Sequence, residues 1–527
     1  MSQNISITGD TSSSFSLSKK LSILLGFTGL FIFVLASFNV NFPNKAVWLT
    51  LSLFAIGSGI VWYTILNYRH KTAGIKNDHL WRHPFTARGY MAWMLGVFLT
   101  GFYIVLYFFP KYLGLQNEGP NTGLVSFFDP LSKVLSGNPA SQWFVYGTFY
   151  TMAVLFFGIK FIYKYRHNNY QKMRTISVMF FQLGFAFLIP ELMARLNSDT
   201  FSLPFMDLKN IWPLNYYNFE QYRVDEFIHA GNIGIAFLIF GIASIFVITP
   251  ILTYKYGKRW YCSWVCGCGG LAETAGDSFR QLSDKSQFAW KVERWVVHSV
   301  VVFVVLMTTA VIYSYLGDSS KGYWLTRDVF LIGVAVLLTS GFVLVIVFKR
   351  NEFKKDAKLG AVGYLAIILT LIGLHYFGGN DKVFLFEAEK LRVAYGFLIG
   401  SIFSGVIGTG FYPIFGNRVW CRMGCPMAAV LGFQQRLFSK FRITTNGGQC
   451  ISCGNCSTYC EMGIDVRAYA QKGENIVRSS CVGCGICAAV CPRGVLKLEN
   501  DGLKGRINSN EILLGNDVDL MTLVNEK

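Results

Sequence analysis

Long apolar runs alternate with short polar stretches along most of the chain. Ten of these runs are long enough to cross a hydrocarbon core of about 30 Å, which takes about 20 helical residues. They lie at residues 21–42, 46–66, 89–109, 142–163, 175–195, 230–254, 295–315, 328–348, 358–377 and 393–414. One soluble domain could not bury ten such helices, so the pattern predicts an all-α polytopic membrane protein with about ten transmembrane helices.

Composition and charge agree with this prediction and give it an orientation. Hydrophobic residues make up 52% of the 527 residues, charged residues only 15%, and the mean hydropathy is +0.39. The loops after the second, fourth, sixth and eighth runs contain 21 Lys and Arg, against 10 in the other connecting loops. The positive-inside rule therefore predicts a multi-pass protein of the cytoplasmic (inner) membrane with both termini in the cytoplasm. The formal charge of +18 is spread over membrane-flanking loops, which favours anionic lipid and not nucleic acid as its partner.

All thirteen cysteines follow residue 261 and fall into three groups, at 262–268, 421–425 and 450–491. By the predicted topology each group lies at or beyond the cytoplasmic face, where thiols stay reduced. Dense cysteine groups in a reducing compartment are typical of metal binding and not of structural disulfides.

The last group contains two copies of CxxCxxCxxxC, at residues 450–460 and 481–491, the second followed by Pro492 and the first by Glu461. This is the bacterial ferredoxin spacing, in which three cysteines bind one [4Fe–4S] cluster and the fourth binds the other. A zinc ribbon needs only two CxxC pairs and fits less well. One predicted cluster has the ligands Cys450, Cys453, Cys456 and Cys491, and the other has Cys481, Cys484, Cys487 and Cys460. The run 493–500 is expected to form the closing strand of this small α+β domain.

The other two groups resemble each other: 260-WYCSWVCGCGG-270 and 418-RVWCRMGCPMA-428 both follow an apolar run and both contain CxxxC. On a helix this spacing places both thiols on one face. Two facing pairs would provide four thiolates for a third iron–sulfur or other metal centre at the membrane surface. The candidate ligands are Cys262, Cys266, Cys268, Cys421 and Cys425. Redox-active thiols without a permanent metal, and simple buried packing, remain alternatives.

With these motifs, residues 230–500 resemble the membrane-bound polyferredoxins that accompany periplasmic nitrate reductase and nitrous oxide reductase, and related accessory proteins of cytochrome oxidase assembly. The resemblance implies a quinol-linked electron-transfer subunit whose partner is a periplasmic or membrane reductase. The flavin-attachment sequence Ser-Gly-Ala-Thr of the largest relatives is absent from this chain. The first five runs lie outside the resemblance, and whether the chain is itself an enzyme stays open.

The expected domains follow the same divisions. Residues 1–20 form a cytoplasmic tail, 21–229 a membrane domain of unassigned role, 230–440 a membrane domain with the paired CxxxC motifs, 441–500 the ferredoxin domain and 501–527 a C-terminal tail.

A quinone site has only weak candidates in the sequence. A carboxylate near membrane depth is costly and usually functional; the candidates are His229, Glu226, Asp225, Glu191 and His375. Haem ligation by His229 and His375 is the less favoured interpretation. The aromatic segment 212–222 is expected to lie at the outer membrane interface.

Two other functions compete with electron transfer. In the first, the CxxxC thiols receive or reduce a metal ion such as copper for a respiratory metalloenzyme. In the second, the spans form a transporter and the ferredoxin domain senses redox state. Nearly uncharged spans disfavour the transporter.

Overall fold

The computed structural model describes residues 16–69, 85–197, 203–318, 322–349, 355–377, 387–500, 513–514 and 518–519. Within these ranges nine helices are long and apolar enough to cross a membrane, so the chain is a multi-pass membrane protein. They are α1 Leu17–Ser37, α2 Lys45–Tyr68, α3 Tyr90–Phe108, α4 Gln142–Lys164, α5 Asn169–Arg195, α6 Gly231–Tyr256, α7 Gln287–Leu316, α8 Arg327–Phe348 and α10 Ala388–Gly410.

The ninth predicted span falls on the helix α9, Lys355–Phe377. Its apolar part, Lys358–Gly373, is shorter than the nine helices above. A total of ten spans therefore stays a prediction, whereas the largely helical, membrane-type architecture is confirmed. The predicted tails 1–20 and 501–527 fall largely outside the described residues.

Small residues and aromatic rings hold the first helices together. A side chain at Gly59 of α2 would lie 2.7 Å from the backbone nitrogen of Gly26 in α1, so the two helices pack at backbone contact. Next to this contact Phe33 stacks on Phe128 with ring centroids 5.7 Å apart. Phe128 is fully buried because the connection between α3 and α4 folds into the bundle.

Three of the long helices are interrupted by wider π-helical turns. These cover Phe181–Leu188 in α5, Ser244–Ile248 in α6 and Gly396–Gly410 in α10. Such turns often mark functional positions, because they change which side chains face the bundle interior. In α5 and α10 they lie next to the cysteines described below.

The C-terminal cysteine region (residues 441–500) is closed by two antiparallel strands. Arg442–Thr445 pairs with Leu496–Glu499, with Ile443 opposite Leu498. The strand expected within 493–500 is thus present. The short strands Leu513–Leu514 and Val518–Asp519 also pair with each other.

Shorter helices connect these elements. They are Pro110–Leu113, Gly123–Phe127, Asp129–Leu135, Tyr216–Phe219, Gln221–His229, Arg259–Cys262, Gly267–Thr274, Ala275–Leu282, Tyr412–Phe415, Trp420–Gly424, Pro426–Phe438, Gly447–Gln449, Asn455–Thr458, Val466–Lys472 and Ile486–Ala489.

Candidate iron–sulfur site

The eight cysteines of the C-terminal region surround two separate cavities, four around each. The outer cavity is lined by Cys450, Cys453, Cys456 and Cys491. The inner cavity is lined by Cys460, Cys481, Cys484 and Cys487. Each set combines three cysteines of one run with the fourth of the other, which is the division that the spacing predicts. The assignment of these side chains as cluster ligands stays a prediction.

The two cysteine runs fold alike. Gly454 and Gly485 adopt left-handed backbone conformations, with φ of 79° and 73°, immediately before the helices Asn455–Thr458 and Ile486–Ala489. A side chain is disfavoured in this conformation. The glycines therefore let each run turn sharply, so that its first three cysteines face one cavity, a donor set that suits a cubane cluster.

The two cavities differ in their exposure. Cys453 is the exposed thiol of the outer set, and Ile451 beside it is 54% exposed. In the inner set, burial raises the pKa of Cys481 to about 11 and that of Cys484 to about 12. Thiols in such an environment stay protonated unless a metal ion replaces the proton.

Hydrogen bonds fasten the inner cavity to the membrane helices. Gln171 Nε2 at the start of α5 donates to the carbonyl of Cys484 at 2.8 Å, and Tyr170 Oη donates to that of Gly483 at 2.8 Å. Ser263, between the cysteines of the first CxxxC motif, donates to the carbonyl of Val482 at 2.8 Å. The inner cavity thus lies between the C-terminal cysteine region and the membrane helices.

A chain of buried charges runs along this contact, and we call it the ion chain. Glu461, the residue that replaces the motif proline, is fully buried and accepts from Arg280 at 2.6 Å. Arg418 Nε lies 3.1 Å from the other carboxylate oxygen of Glu461. Burial opposes the charge on Glu461, but the two arginines outweigh it and hold the pKa of its carboxyl below the ordinary value.

The ion chain extends in both directions from Glu461. Arg280 also pairs with Asp277 at 3.2 Å, and Asp277 pairs with Lys164 at 2.8 Å. On the other side Arg418 pairs with Glu273, which also pairs with Arg174. Four cations thus alternate with three carboxylates, which leaves one positive charge in excess beside the cysteines.

Glu273, Glu461 and Cys484 place their ligand atoms within 4.8 Å of one another, as a metal site would. The two carboxylates are, however, already paired with arginines. Repulsion from these guanidinium groups disfavours a metal cation at this point, so we interpret the group as part of the ion chain.

The two CxxxC segments form a structural repeat. Gly257 and Gly416 begin them with φ of 68° and 90°. The amide nitrogen of Cys266 then donates to the backbone carbonyl of Tyr261 at 2.8 Å, and that of Cys425 donates to the backbone carbonyl of Trp420 at 2.9 Å. The second cysteine of each pair caps the next helix, Gly267–Thr274 or Pro426–Phe438. In each copy one helix ends and the next begins between the two cysteines. The spacing alone suggested that each pair lies on one face of a single helix, and the structure differs from that prediction.

The thiol cluster, by which we mean Cys262, Cys266, Cys268, Cys421 and Cys425, belongs to one buried core, with Cys268 at its partly buried edge. Arg418 joins the two copies, because its Nη1 lies 3.3 Å from the carbonyl of Cys262 and 3.6 Å from Cys421 Sγ. Burial raises the pKa of Cys262 to about 12, whereas a hydrogen bond from Cys268 lowers the pKa of Cys266 below the ordinary value for a thiol.

The segments that carry the thiol cluster pack against membrane helices. Gly270, four residues after Cys266, packs against Val178 of α5 and Val154 of α4. Both residues are well inside their helices. The CxxxC segments therefore fold back into the bundle beside α4 and α5, while the position of the thiols relative to the membrane surface stays a prediction.

A second segment reaches the same depth from the opposite side. We call residues 203–220, between α5 and α6, the re-entrant segment. The hydroxyl of Tyr261 donates to the carbonyl of Lys209 at 2.9 Å, and Trp212 Nε1 donates to Thr308 at 3.0 Å. Tyr216 packs against Gly396 and Gly400 of α10. The aromatic residues from 212 to 216 thus pack inside the bundle and not only at the membrane interface.

The weak quinone candidates lie elsewhere and have local partners. Glu226 pairs with Arg223 at 2.7 Å, and Asp225 accepts from Tyr323 at 2.9 Å. His229 is exposed, and its Nδ1 lies 3.1 Å from the carbonyl of Asp225.

The remaining two candidates lie on α5 and α9. Glu191 is partly buried in the last turns of α5. His375 is on α9, and its side chain is outside the described residues. Within the described part of the chain, the bonds of Asp225, Glu226 and His229 named above connect them to local partners and not to the cysteines.

Comparison with protein families agrees with this geometry. The 4Fe-4S dicluster domain family matches residues 449–496. The family described as 4Fe-4S binding domain matches twice, at residues 238–286 and 396–444, which are the two CxxxC segments with the helices before them.

One curated relative is described as "Putative electron transport protein YccM" from Escherichia coli (strain K12). It is 24% identical over 224 residues, 42% of this chain, and the chain spans about half (47%) of the relative's length. No solved structure matches the chain. The chain is therefore a multi-pass membrane protein with 4Fe-4S-type domains, similar to iron–sulfur electron transport proteins.

Proposed function

We propose that this protein is a membrane-bound iron–sulfur electron-transfer protein that exchanges electrons between the quinone pool and a partner reductase. The observation that carries the proposal is the division of eight thiols into two sets of four, each around its own cavity. When bound there, [4Fe–4S] clusters supply one-electron chemistry. The chain's own residues shield the inner site and leave the outer one open to a soluble partner.

Under this proposal Cys450, Cys453, Cys456 and Cys491 hold one cluster, and Cys460, Cys481, Cys484 and Cys487 hold the other. We also propose a third metal centre held by Cys262, Cys266, Cys421 and Cys425. Two facts support it: the 4Fe-4S binding domain family matches both CxxxC segments, and all four thiols are buried. A third centre half-way along the spans would shorten the gap between the inner cavity and the opposite membrane face.

The proposed location is a bacterial inner membrane, with both termini and the C-terminal cysteine region in the cytoplasm. Residues 164–174 and 255–294 are among the Lys- and Arg-rich loops. Tyr170, Gln171 and Ser263 from these two stretches contact the C-terminal cysteine region. The basic loops and the cysteine cavities therefore lie at the same end of the bundle, as the positive-inside rule requires.

The decisive experiment is the iron and acid-labile sulfide content of anaerobically purified full-length protein. Two clusters give about eight irons per chain, and a third [4Fe–4S] centre gives about twelve. We expect Cys484→Ser to reduce the iron content, with Ser457→Ala as the matched control that keeps it. Colourless protein without labile sulfide would contradict the proposal.

A metal-handling role is the second candidate, and one observation favours it. Cys268 is the partly exposed member of the thiol cluster and its hydrogen bond lowers the pKa of Cys266, so the cluster presents a soft ligand set suited to Cu(I) at its accessible edge. Stoichiometric copper binding that is lost in Cys268→Ser, in protein whose clusters no quinol analogue reduces, would favour this role over electron exchange with quinone.

A further inference from the structure

Three polar side chains from different parts of the chain meet above Gly267, between Cys266 and Cys268 of the thiol cluster. A methyl group at Gly267 would clash with Gln182 Oε1 and would lie 2.9 Å from Lys209 Nζ and 3.4 Å from the ring of Tyr150. Gln182 belongs to the π-helical turn of α5, Tyr150 to α4 and Lys209 to the re-entrant segment. The glycine leaves room for these groups beside the thiols.

These polar groups are incompletely satisfied. Gln182 is 4% exposed; its amide nitrogen donates to Thr151 at 3.1 Å, while its buried Oε1 has no hydrogen-bond partner among the residues that the structure describes. The hydroxyl of Tyr150 is likewise buried without a partner. Lys209 is 7% exposed and forms an ion pair with Asp207, whose Oδ2 lies 3.6 Å from its Nζ. An ammonium carries three N–H donors, so this one pairing leaves donors for a further acceptor. Buried polar groups are normally paired, so this group of donors and acceptors indicates a bound molecule.

A row of aromatic rings leads to these groups from the end of the bundle opposite the inner cavity. Trp143 and Tyr107 lie near that end, with ring centroids 5.0 Å apart, and Tyr107 stacks on Tyr103 at 5.5 Å. Tyr103 contacts Tyr146 at 6.2 Å, and Tyr146 contacts Tyr150 at 5.9 Å. Tyr103, Tyr107, Tyr146 and Tyr150 are each partly exposed. The row offers flat surfaces to an aromatic ring arriving from the bilayer.

We propose that Gln182, Lys209 and Tyr150 bind the ring of a quinone or hydroquinone beside Cys268. A hydroquinone hydroxyl can donate to Gln182 Oε1, and a quinone carbonyl can accept from the ammonium of Lys209 or the hydroxyl of Tyr150. The same groups thus fit both oxidation states of the ligand. The inference rests on the proposed exchange of electrons with quinone, and it replaces the weak candidates near His229 with a site that adjoins the thiols.

The amino end of the helix Gly267–Thr274 adds to this fit. Cys266 caps the helix, and Gly267 and Cys268 form its first turn. The helix dipole favours a partly negative oxygen there, as does the charge of Lys209. A carbonyl oxygen of the ligand therefore finds positive potential on two sides.

The test uses full-length protein in lipid nanodiscs under anaerobic conditions, with menadiol as the soluble hydroquinone. Bleaching of the cluster absorbance gives the rate at each menadiol concentration. We expect Gln182→Leu and Lys209→Met each to raise the KM for menadiol about tenfold, because each variant loses one hydrogen bond to the ligand. Tyr150→Phe should raise it less. Reduction by dithionite and the iron content should stay unchanged.

Thr148→Val is the matched control. Thr148 is fully buried on the same helix as Tyr150, and among the described residues its hydroxyl bonds to the carbonyl of Phe144, at 2.8 Å, and not to the proposed site. This variant should keep the KM of the unchanged protein. If Gln182→Leu and Lys209→Met also keep that KM while menadiol reduces the clusters, the site is wrong, its groups are satisfied by water, and the proposed function stands. If menadiol reduces no cluster in the unchanged protein while dithionite does, exchange with quinone itself fails.

A second measurement covers variants that lose iron or fail to fold. An azido-naphthoquinone is photolysed with the unchanged protein, and the labelled peptides are identified by mass spectrometry. We expect labelling within residues 203–220 or on α4 and α5 around Tyr150 and Gln182, reduced by excess menadiol. Competed labelling confined to peptides around His229 or His375 would overturn the site.

Discussion

The outer and inner cavities are built from the same cysteine spacing but have different surroundings. The outer one has an exposed thiol, Cys453, and the exposed side chains of Arg467 and Arg493 at its edge. The inner one has its backbone carbonyls bonded to Gln171 and Tyr170 of α5. The motif therefore determines which four thiols line each cavity, while the contacts of each run determine which cavity joins the membrane helices.

The residue that follows the last cysteine of each run shows this difference between the two cavities. The last cysteine of the second run is followed by Pro492, which is exposed, and that of the first run by Glu461, which is fully buried among arginines. The departure from the ferredoxin pattern is thus the point at which the C-terminal cysteine region is anchored. The comparison predicts that equivalent changes in the two runs will have unequal effects.

We expect the largest difference in stability between the variants Glu461→Ala and Pro492→Ala. Removing Glu461 leaves Arg280 and Arg418 buried without their shared carboxylate, which typically costs about 3–5 kcal/mol. Pro492 is exposed, and its replacement should cost less than about 1 kcal/mol. Thermal unfolding of the two variants in the same detergent measures the difference. Equal stabilities would show that the ion chain does not anchor the region.

The variants Gly485→Ala and Gly454→Ala should differ less in stability. Both glycines have positive φ, so each alanine costs about 1–2 kcal/mol in backbone conformation. A side chain at Gly485 would also lie 2.9 Å from the ring of Tyr170, whereas one at Gly454 would approach only Arg467, at 3.9 Å. Denaturant unfolding should therefore show Gly485→Ala as the less stable variant. The reverse order would contradict the docked position of the inner cavity.

An iron chelator should remove iron from the two cavities at different rates. Because Cys453 is exposed and the inner thiols lie against the membrane helices, we expect an iron chelator to remove iron from the outer site about tenfold faster, a factor that corresponds to about 1.4 kcal/mol. The iron of the two C-terminal sites should leave in two phases of equal size, apart from any iron of the proposed third centre. Glu461→Ala should make the slow phase faster, and a single phase in the unchanged protein would contradict the comparison.

The smallest expected effect is electrostatic. Charge and hydrogen bonds near a cluster set its reduction potential. Arg418→Gln removes a positive charge and should lower the potential of the inner cluster, whereas Glu461→Gln removes a negative charge and should raise it. Shifts of several tens of millivolts are expected, since about 59 mV corresponds to a tenfold change for one electron.

Redox titration followed by electron paramagnetic resonance measures both variants. Arg467→Gln, at the outer cavity, is the matched control and should shift the outer signal more than the inner one. A merely structural role of the ion chain would not give shifts of opposite sign, so shifts of the same sign would count against its electrostatic effect.

Much of the candidate site could be predicted because thiol spacing is a local property. The division of the eight cysteines between two cavities follows from two identical runs, and the likeness of the CxxxC segments is visible in Cys262, Cys266, Cys421 and Cys425 alone. The membrane character follows equally from the apolar runs. Each of these depends on residues close together in sequence.

What could not be predicted depends on chain packing over long distances. The CxxxC thiols follow the ends of apolar runs, and nothing in their spacing indicates that the segments fold back beside α4 and α5. Gln182 is one polar residue inside an apolar helix, and Lys209 is a lysine in a connecting loop, so neither gave a functional signal. Glu461 did give one, since it replaces the motif proline, but its role became visible only with Arg280 and Arg418 beside it.

Enclosure of the inner cavity has a consequence for the biogenesis of this protein. Tyr170, Gln171 and Ser263 close one side of that cavity as soon as the C-terminal cysteine region rests on the bundle. A scaffold protein that delivers a preformed cluster must reach Cys481 and Cys484 before this closure. Under the proposed function, loading of the inner site must therefore precede its closure, whereas the outer site, with Cys453 exposed, stays open to loading at any stage.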